Sequence, residues 1–199
     1  FIVLFGGLLI LLLLRIFEKP LFGHKRPITS LLTQAVCKIS LRIMGIKYQI
    51  VGRPMTKNGA VVANHSSWLD IFTLNAAQCV YFVSKSEVAA WPGIGWLARA
   101  AGTVFIKRDR LQAKLQSNVL SSRFQMGHKL LFFPEGTSTD GQQVLPFKST
   151  LFAALFEQSL KNIIHVQPVS VVYKAPKGCD ERFYGWWGDM AFDAHFLLT

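Results

Sequence analysis

The chain has 199 residues, 51% of them hydrophobic, with 22 Lys and Arg against 11 Asp and Glu for a net charge of +11. That length suits one domain with a sizeable core, and a mean hydropathy of +0.31 is high for a wholly soluble protein and points toward a membrane. Three cysteines, Cys37, Cys79 and Cys179, are odd in number and too far apart for a disulfide framework or a zinc ligand set, and read as buried thiols in a reducing compartment.

Residues 1–14 are unbroken apolar sequence closed by Arg15. Fourteen helical residues reach about 21 Å, short of the roughly 30 Å hydrocarbon core, so residues 1–15 are read as the C-terminal part of a transmembrane helix. Up to Ala63 the basic positions are 15, 19, 25, 26, 38, 42, 47, 53 and 57, against the single acid Glu18. Such a flank fits the cytoplasmic side of a bilayer with anionic headgroups. Nucleic acid is not expected as a partner, because no reading module accompanies the charge. Residues 16–45 form a basic connector followed by an amphipathic helix over 28–44, with Lys38 and Arg42 on its cationic side and Gly45 as its stop.

From residue 46 to 199, short apolar runs alternate with helical stretches. Strands are expected at 48–51, 60–63, 80–83, 103–106, 129–133 and 164–172, and helices at 68–77, 94–101, 109–126 and 150–159. This alternation predicts an α/β fold, a mixed, largely parallel twisted sheet flanked by helices. The tail from 175 gathers Phe183, Tyr184, Trp186 and Trp187, an aromatic cluster read as core, with a membrane-interface belt as the other reading. The chain is expected to continue beyond residue 199.

The strand expected to end at Ala63 is followed by Asn64-His65-Ser66-Ser67-Trp68-Leu69-Asp70, with Ser66 or Ser67 as the expected N-cap of the next helix. Five steps on a regular helix put His65 and Asp70 about 140° apart, so they meet only if His65 lies in an irregular turn and folds back over the first helical turn. A carboxylate on one ring nitrogen then leaves the other free to take a proton from a hydroxyl. The alternative is a solvated first-turn acid and a loop histidine. Ser66 lacks a glycine-flanked nucleophile elbow, so it reads as a cap and not as a nucleophile. The remaining histidines, His24, His128, His165 and His195, stand at no metal-ligand spacing, so neither a metal nor a tightly bound cofactor is expected.

The block from Asn64 to Asp70 resembles the H-x4-D block of the glycerolipid acyltransferases, the family that includes 1-acylglycerol-3-phosphate acyltransferases. Three further blocks follow in that family's order: Gly102-Thr103-Val104-Phe105-Ile106-Lys107-Arg108, Phe133-Pro134-Glu135-Gly136-Thr137-Ser138-Thr139, and Val166-Gln167-Pro168-Val169-Ser170-Val171. The resemblance implies a membrane-bound O-acyltransferase on the cytoplasmic face of a bacterial inner membrane that moves a fatty acyl chain from acyl-CoA or acyl carrier protein to a lysolipid hydroxyl. It implies His65 as general base and Asp70 as its orienter, Glu135, Gly136 and Thr137 at the acceptor site, and Lys107 and Arg108 as phosphate contacts, with Lys85 a weaker candidate. Members acting on lysophosphatidic acid often carry Arg after the Glu-Gly-Thr of the third block, where this chain has Ser138. That version is similar to members acting on other lysolipids, including bacterial lyso-ornithine lipid acyltransferases. Two other functions use the same residues: a lipid esterase or phosphoesterase with water as acceptor, and a non-enzymatic binder of anionic lipid.

Overall fold

The structure, a computed structural model, describes residues 2–107, 113–149, 152, 154–156, 160, 162, 164–190 and 195. Two N-terminal helices, α1 (Ile2–Phe22) and α2 (Thr29–Ile43), form an antiparallel hairpin. At one end a Cβ on Gly7 would lie 2.6 Å from Val36 Cγ2, so glycine permits the close approach. At the other end the Glu18 carboxylate of α1 accepts hydrogen bonds from Ile28 N (2.7 Å), Thr29 N (3.0 Å) and Thr29 Oγ1 (2.5 Å). The start of α2 has no side-chain cap of its own, so Glu18 satisfies N–H groups that the helix leaves unpaired. Gly45, in the left-handed region at φ +71, ends the turn after α2 as expected.

Among the described residues five strands follow, β1 (Gly59–Ala63), β2 (Tyr81–Lys85), β3 (Val104–Ile106), β4 (Lys129–Phe132) and β5 (His165–Val169). They form one sheet in the order β3-β2-β4-β1-β5. Every ladder is parallel, with Val61 opposite both Leu131 and Gln167, Phe82 opposite Leu131, and Ser84 opposite Phe105. Between the strands lie α3 (Asp70–Ala77), α4 (Ile94–Ala101) and α5 (Ala113–Gln125). A parallel sheet has both faces covered, which is why its strands read as apolar runs. Alternate side chains feed two clusters. Ala60, Val83, Val104, Leu130 and Phe132 pack with Leu120 and Phe124 of α5, while Val61, Ala63, Phe82 and Leu131 pack with Leu74 of α3. Cys37 and Leu41 of α2 pack on Ala76 of α3, fastening the hairpin to the domain.

Several expectations need correction. Residues 48–51 form no strand: they have no ladder partner among the described residues, and Ile50 and Val51 are exposed, so alternation there covers no core. Most of 150–159 lies outside the described residues, and Ala154–Phe156 is a single 3-10 turn. Cys37 is buried but Cys179 is exposed. The N-terminal helix forms as α1, its apolar run ends at Leu14 ahead of Arg15, Glu18, Lys19 and Pro20, and among the described residues no helix is long and apolar enough to cross a membrane.

Candidate active site

With all strands parallel, their carboxyl ends share one edge, where ligands of open α/β sheets commonly bind. At the end of β1 the Asn64 amide donates to Val171 O (2.9 Å) and accepts from Val171 N (2.7 Å), tying the chain beyond β1 to the chain beyond β5. His65 follows in an irregular turn and folds back over the start of α3. Its Nδ1 lies 2.7 Å from Asp70 Oδ2, and its ring stacks on Phe133 at 4.1 Å between centroids. Asp70 is fully buried while the His65 side chain is 18% exposed.

The serines reverse their expected part. Ser66 N and Ser67 N donate to Asp70 Oδ2 at 2.9 and 3.1 Å, so the aspartate caps the turn and neither serine side chain caps α3; Ser67 Oγ accepts from Leu69 N before the helix. One carboxylate oxygen therefore takes two backbone donors and the imidazole. Tyr173 OH donates to the other oxygen, Oδ1, at 2.6 Å, and lies 3.2 Å from Thr73 Oγ1. Burial pushes the Tyr173 phenol well above its usual range and the negative charge of Asp70 adds to this, so it stays a neutral donor. Tyr173 escaped sequence reasoning because it stands 103 residues from Asp70, just past the fourth block.

The third block closes over this pair. Gly136, at φ +69, completes a turn in which its N–H donates to Phe133 O at 3.0 Å. Glu135 is buried and its Oε2 accepts from Leu145 N at 3.1 Å, while Thr137 is exposed. Thr139 N donates to His65 O at 2.9 Å, and Trp186 N, from the aromatic tail, donates to Ser66 O at 2.8 Å. Lys107 is exposed at the end of β3, on the same edge but three strand spacings from β1, about 14 Å. Arg108 lies outside the described residues. Lys85 is exposed at the end of β2. Two adjoining clefts of about 440 and 400 Å³ share Gln142 and Glu181, the second lined also by Tyr173. Among the described residues no group of three His, Cys, Asp or Glu side chains is placed to hold a metal ion.

An open parallel sheet carrying a hydrogen-bonded histidine and buried aspartate at its carboxyl edge has the geometry that proton transfer during group transfer or hydrolysis requires. Residues 47–172 match the Acyltransferase family, and the chain belongs to it. It is 59% identical over 194 residues to a lyso-ornithine lipid O-acyltransferase of Rhodobacter capsulatus, covering 98% of this chain and 70% of that protein. A lyso-ornithine lipid O-acyltransferase of Rhizobium meliloti is 32% identical over 170 residues, 80% of this chain and 58% of its own length. A 1-acyl-sn-glycerol-3-phosphate acyltransferase of Neisseria gonorrhoeae is 39% identical over 115 residues, 56% of this chain and 45% of that one. Among solved structures, the 1-acyl-sn-glycerophosphate acyltransferase PlsC of Thermotoga maritima superposes with a TM-score of 0.52 at 25% identity, covering 64% of this chain and 52% of that one.

Proposed function

We propose that this acyltransferase moves a fatty acyl group from a thioester, acyl-CoA or acyl carrier protein, to the free hydroxyl of lyso-ornithine lipid, producing a two-chain membrane lipid. The observation that carries the acyl-transfer chemistry is the 2.7 Å contact between His65 Nδ1 and the buried Asp70 carboxylate, and the 59% identity to the lyso-ornithine lipid O-acyltransferase of Rhodobacter capsulatus supports the acceptor. Held there, Nδ1 keeps its proton and Nε2 is the free base. Nε2 takes the acceptor hydroxyl proton as that oxygen attacks the thioester carbon. The tetrahedral intermediate collapses with loss of the thiolate, which recovers the proton from the imidazolium. The new ester and the free thiol account for every atom, and no acyl-enzyme is required.

Around this dyad, the turn of Glu135, Gly136 and Thr137 is assigned to the acceptor. The buried Glu135 holds the loop through Leu145 N and leaves the exposed Thr137 on the open side. Lys107, with Arg108, is assigned to an anionic group of donor or acceptor, since cations on this edge suit phosphate. The same Lys107 favours a second reading, 1-acylglycerol-3-phosphate as acceptor, and the Neisseria gonorrhoeae likeness is consistent with it. The domain plan is a lipid-inserted apolar segment over 1–15, a basic connector and amphipathic helix over 16–45, and the acyltransferase domain from 46. The site then faces the cytoplasmic surface of the membrane that supplies its lysolipid.

The test offers labelled acyl-CoA and acyl carrier protein with a panel of lysolipids. Label should enter two-chain ornithine lipid. Transfer to 1-acylglycerol-3-phosphate with none to lyso-ornithine lipid would exchange the two acceptor readings. Release of free fatty acid or phosphate alone would mark an esterase or phosphoesterase. Lipid binding unaffected by loss of His65, with no turnover, would mark a binding protein.

A further inference from the structure

We propose that Tyr173 is a positioning residue of the acyl-transfer site, its phenol bracing the Asp70 carboxylate and through it setting the orientation and basicity of His65. The inference rests on the reading of His65 as base given above. Tyr173 lies one residue beyond the stretch that matches the family, so family membership assigns it nothing.

The geometry separates the work of the two carboxylate oxygens. Oδ2 receives His65 Nδ1 and the backbone donors of Ser66 and Ser67; Oδ1 receives the phenol at 2.6 Å. The carboxylate has no proton to give, so the phenol proton is committed to it. The phenol oxygen is then an acceptor 3.2 Å from Thr73 Oγ1, whose single proton is shared with Leu69 O at 3.2 Å and Asp70 O at 3.4 Å. Thr73 stands one turn along α3 from Asp70, which puts both groups on the same helical face. On its other side the Tyr173 ring meets the Tyr184 ring at 5.9 Å between centroids. The phenol is thus held from the helix and from the tail, and it holds the aspartate in turn.

A charged acceptor with four donors is well fixed, and each donor draws negative charge from it. Removing the phenol leaves Oδ1 buried without that partner and turns more charge toward the imidazole Nδ1–H. The hydrogen bond between His65 and Asp70 strengthens, and the imidazolium form is favoured. A base that holds its proton at higher pH is idle over a wider acid range. The carboxylate, free to rotate, also aims Nε2 less well. Other ionisable groups near the dyad come from neighbouring elements: Glu135, two residues from the Phe133 ring that stacks on His65; Asp140, next to the Thr139 that bonds His65 O; and His195, whose Nδ1 accepts from Trp68 Nε1 at 3.2 Å. Tyr173 differs from all three in its direct bond to Asp70.

The experiment compares wild type, Tyr173→Phe and Thr73→Val as full chains. In the absence of substrate, proton NMR follows the downfield Nδ1–H signal of His65, assigned by its loss in His65→Ala. With acyl thioester and lysolipid, kcat, KM and the pH profile of kcat/KM are measured. In Tyr173→Phe the signal should move further downfield, kcat should fall about tenfold with KM within twofold, and the acid limb should rise by about one pH unit, the scale of one hydrogen bond to a charged group. Thr73→Val should show the same signs at smaller size, and it carries the test if Tyr173→Phe does not fold. An unmoved signal and acid limb in the folded variants would overturn the brace, as would a loss confined to KM. The two readings fail separately. A shifted signal in a protein that acylates no lysolipid keeps the brace and removes the acyl-transfer function; normal acyl transfer with an unmoved signal does the reverse.

Discussion

Asp70 gathers four hydrogen bonds of this site onto one side chain. A fully buried carboxylate is costly unless its oxygens are met by donors, and here two backbone N–H groups, an imidazole and a phenol meet them. Replacing Asp70 by Asn turns one acceptor into an N–H2 group facing donors, so the imidazole loses the partner that fixes its tautomer. His65→Ala should lower kcat by at least about 100-fold, the low end for general base catalysis, and Asp70→Asn should be comparably severe; circular dichroism on the same samples checks that each is folded. Near-normal turnover by folded His65→Ala would remove the base from the mechanism. Ser138 is the position at which the acceptor reading is tested. A guanidinium there would add a charge-assisted contact to a phosphomonoester, and one such contact is worth a tenfold change in relative kcat/KM, about 1.4 kcal/mol. Ser138→Arg should therefore shift preference toward 1-acylglycerol-3-phosphate in a side-by-side assay against lyso-ornithine lipid. An unchanged ratio would mean that position 138 does not meet the headgroup.

At the scale of elements, the clasp between α1 and α2 is built from Glu18. Burial alone would raise its pKa, but the hydrogen bonds from Thr29 and Ile28, together with Arg15, outweigh that and hold it at about 2, against an ordinary 4.5. The unfolded chain therefore takes up this proton before the folded one does. The stabilisation is complete above about pH 4.5 and is lost as pH falls toward 2. Glu18→Gln should melt earlier than wild type at neutral pH, and its melting temperature should fall less steeply across that acid window; parallel slopes would show that Glu18 does not carry the acid sensitivity. This clasp also marks how far local pattern reaches. The strands β1 and β4 and the helix α4 were legible because a few consecutive residues declare them, whereas the spacing of His65 and Asp70 left two readings open and the resemblance of the block around them favoured the one in which they meet. Glu18 on Thr29, Asn64 on Val171 and Tyr173 on Asp70 were not, since each joins residues from different elements and no local spacing encodes the meeting. The strand expected at 48–51 failed for the complementary reason: its local pattern is suitable, but the sheet offers it no partner.

At the scale of the whole molecule, charge and apolar surface coincide at the N-terminal hairpin, the surface that the proposed membrane association would use. Exposed Lys19, Lys25, Lys38 and Arg42 lie on or beside helices that expose Leu9, Leu13, Ile16 and Phe17 on α1, and Leu31, Ile39 and Ile43 on α2. The charges act over a Debye length that shrinks to about 3 Å at 1 M salt. Apolar side chains withdrawn from water contribute about 1.5–3 kcal/mol each when fully buried, independent of screening. Several such residues outweigh the electrostatic part, so high-salt and carbonate washes should leave the protein in the membrane fraction, while detergent releases it. Leu13 and Phe17 are 52% and 71% exposed, so changing them sacrifices little internal packing. Leu13→Asp with Phe17→Asp should release the protein to the soluble fraction on a salt wash while its melting temperature stays near that of wild type. Complete release of wild type by salt alone would show that charge holds it, whereas membrane retention of the double variant would place the lipid contact elsewhere on the molecule.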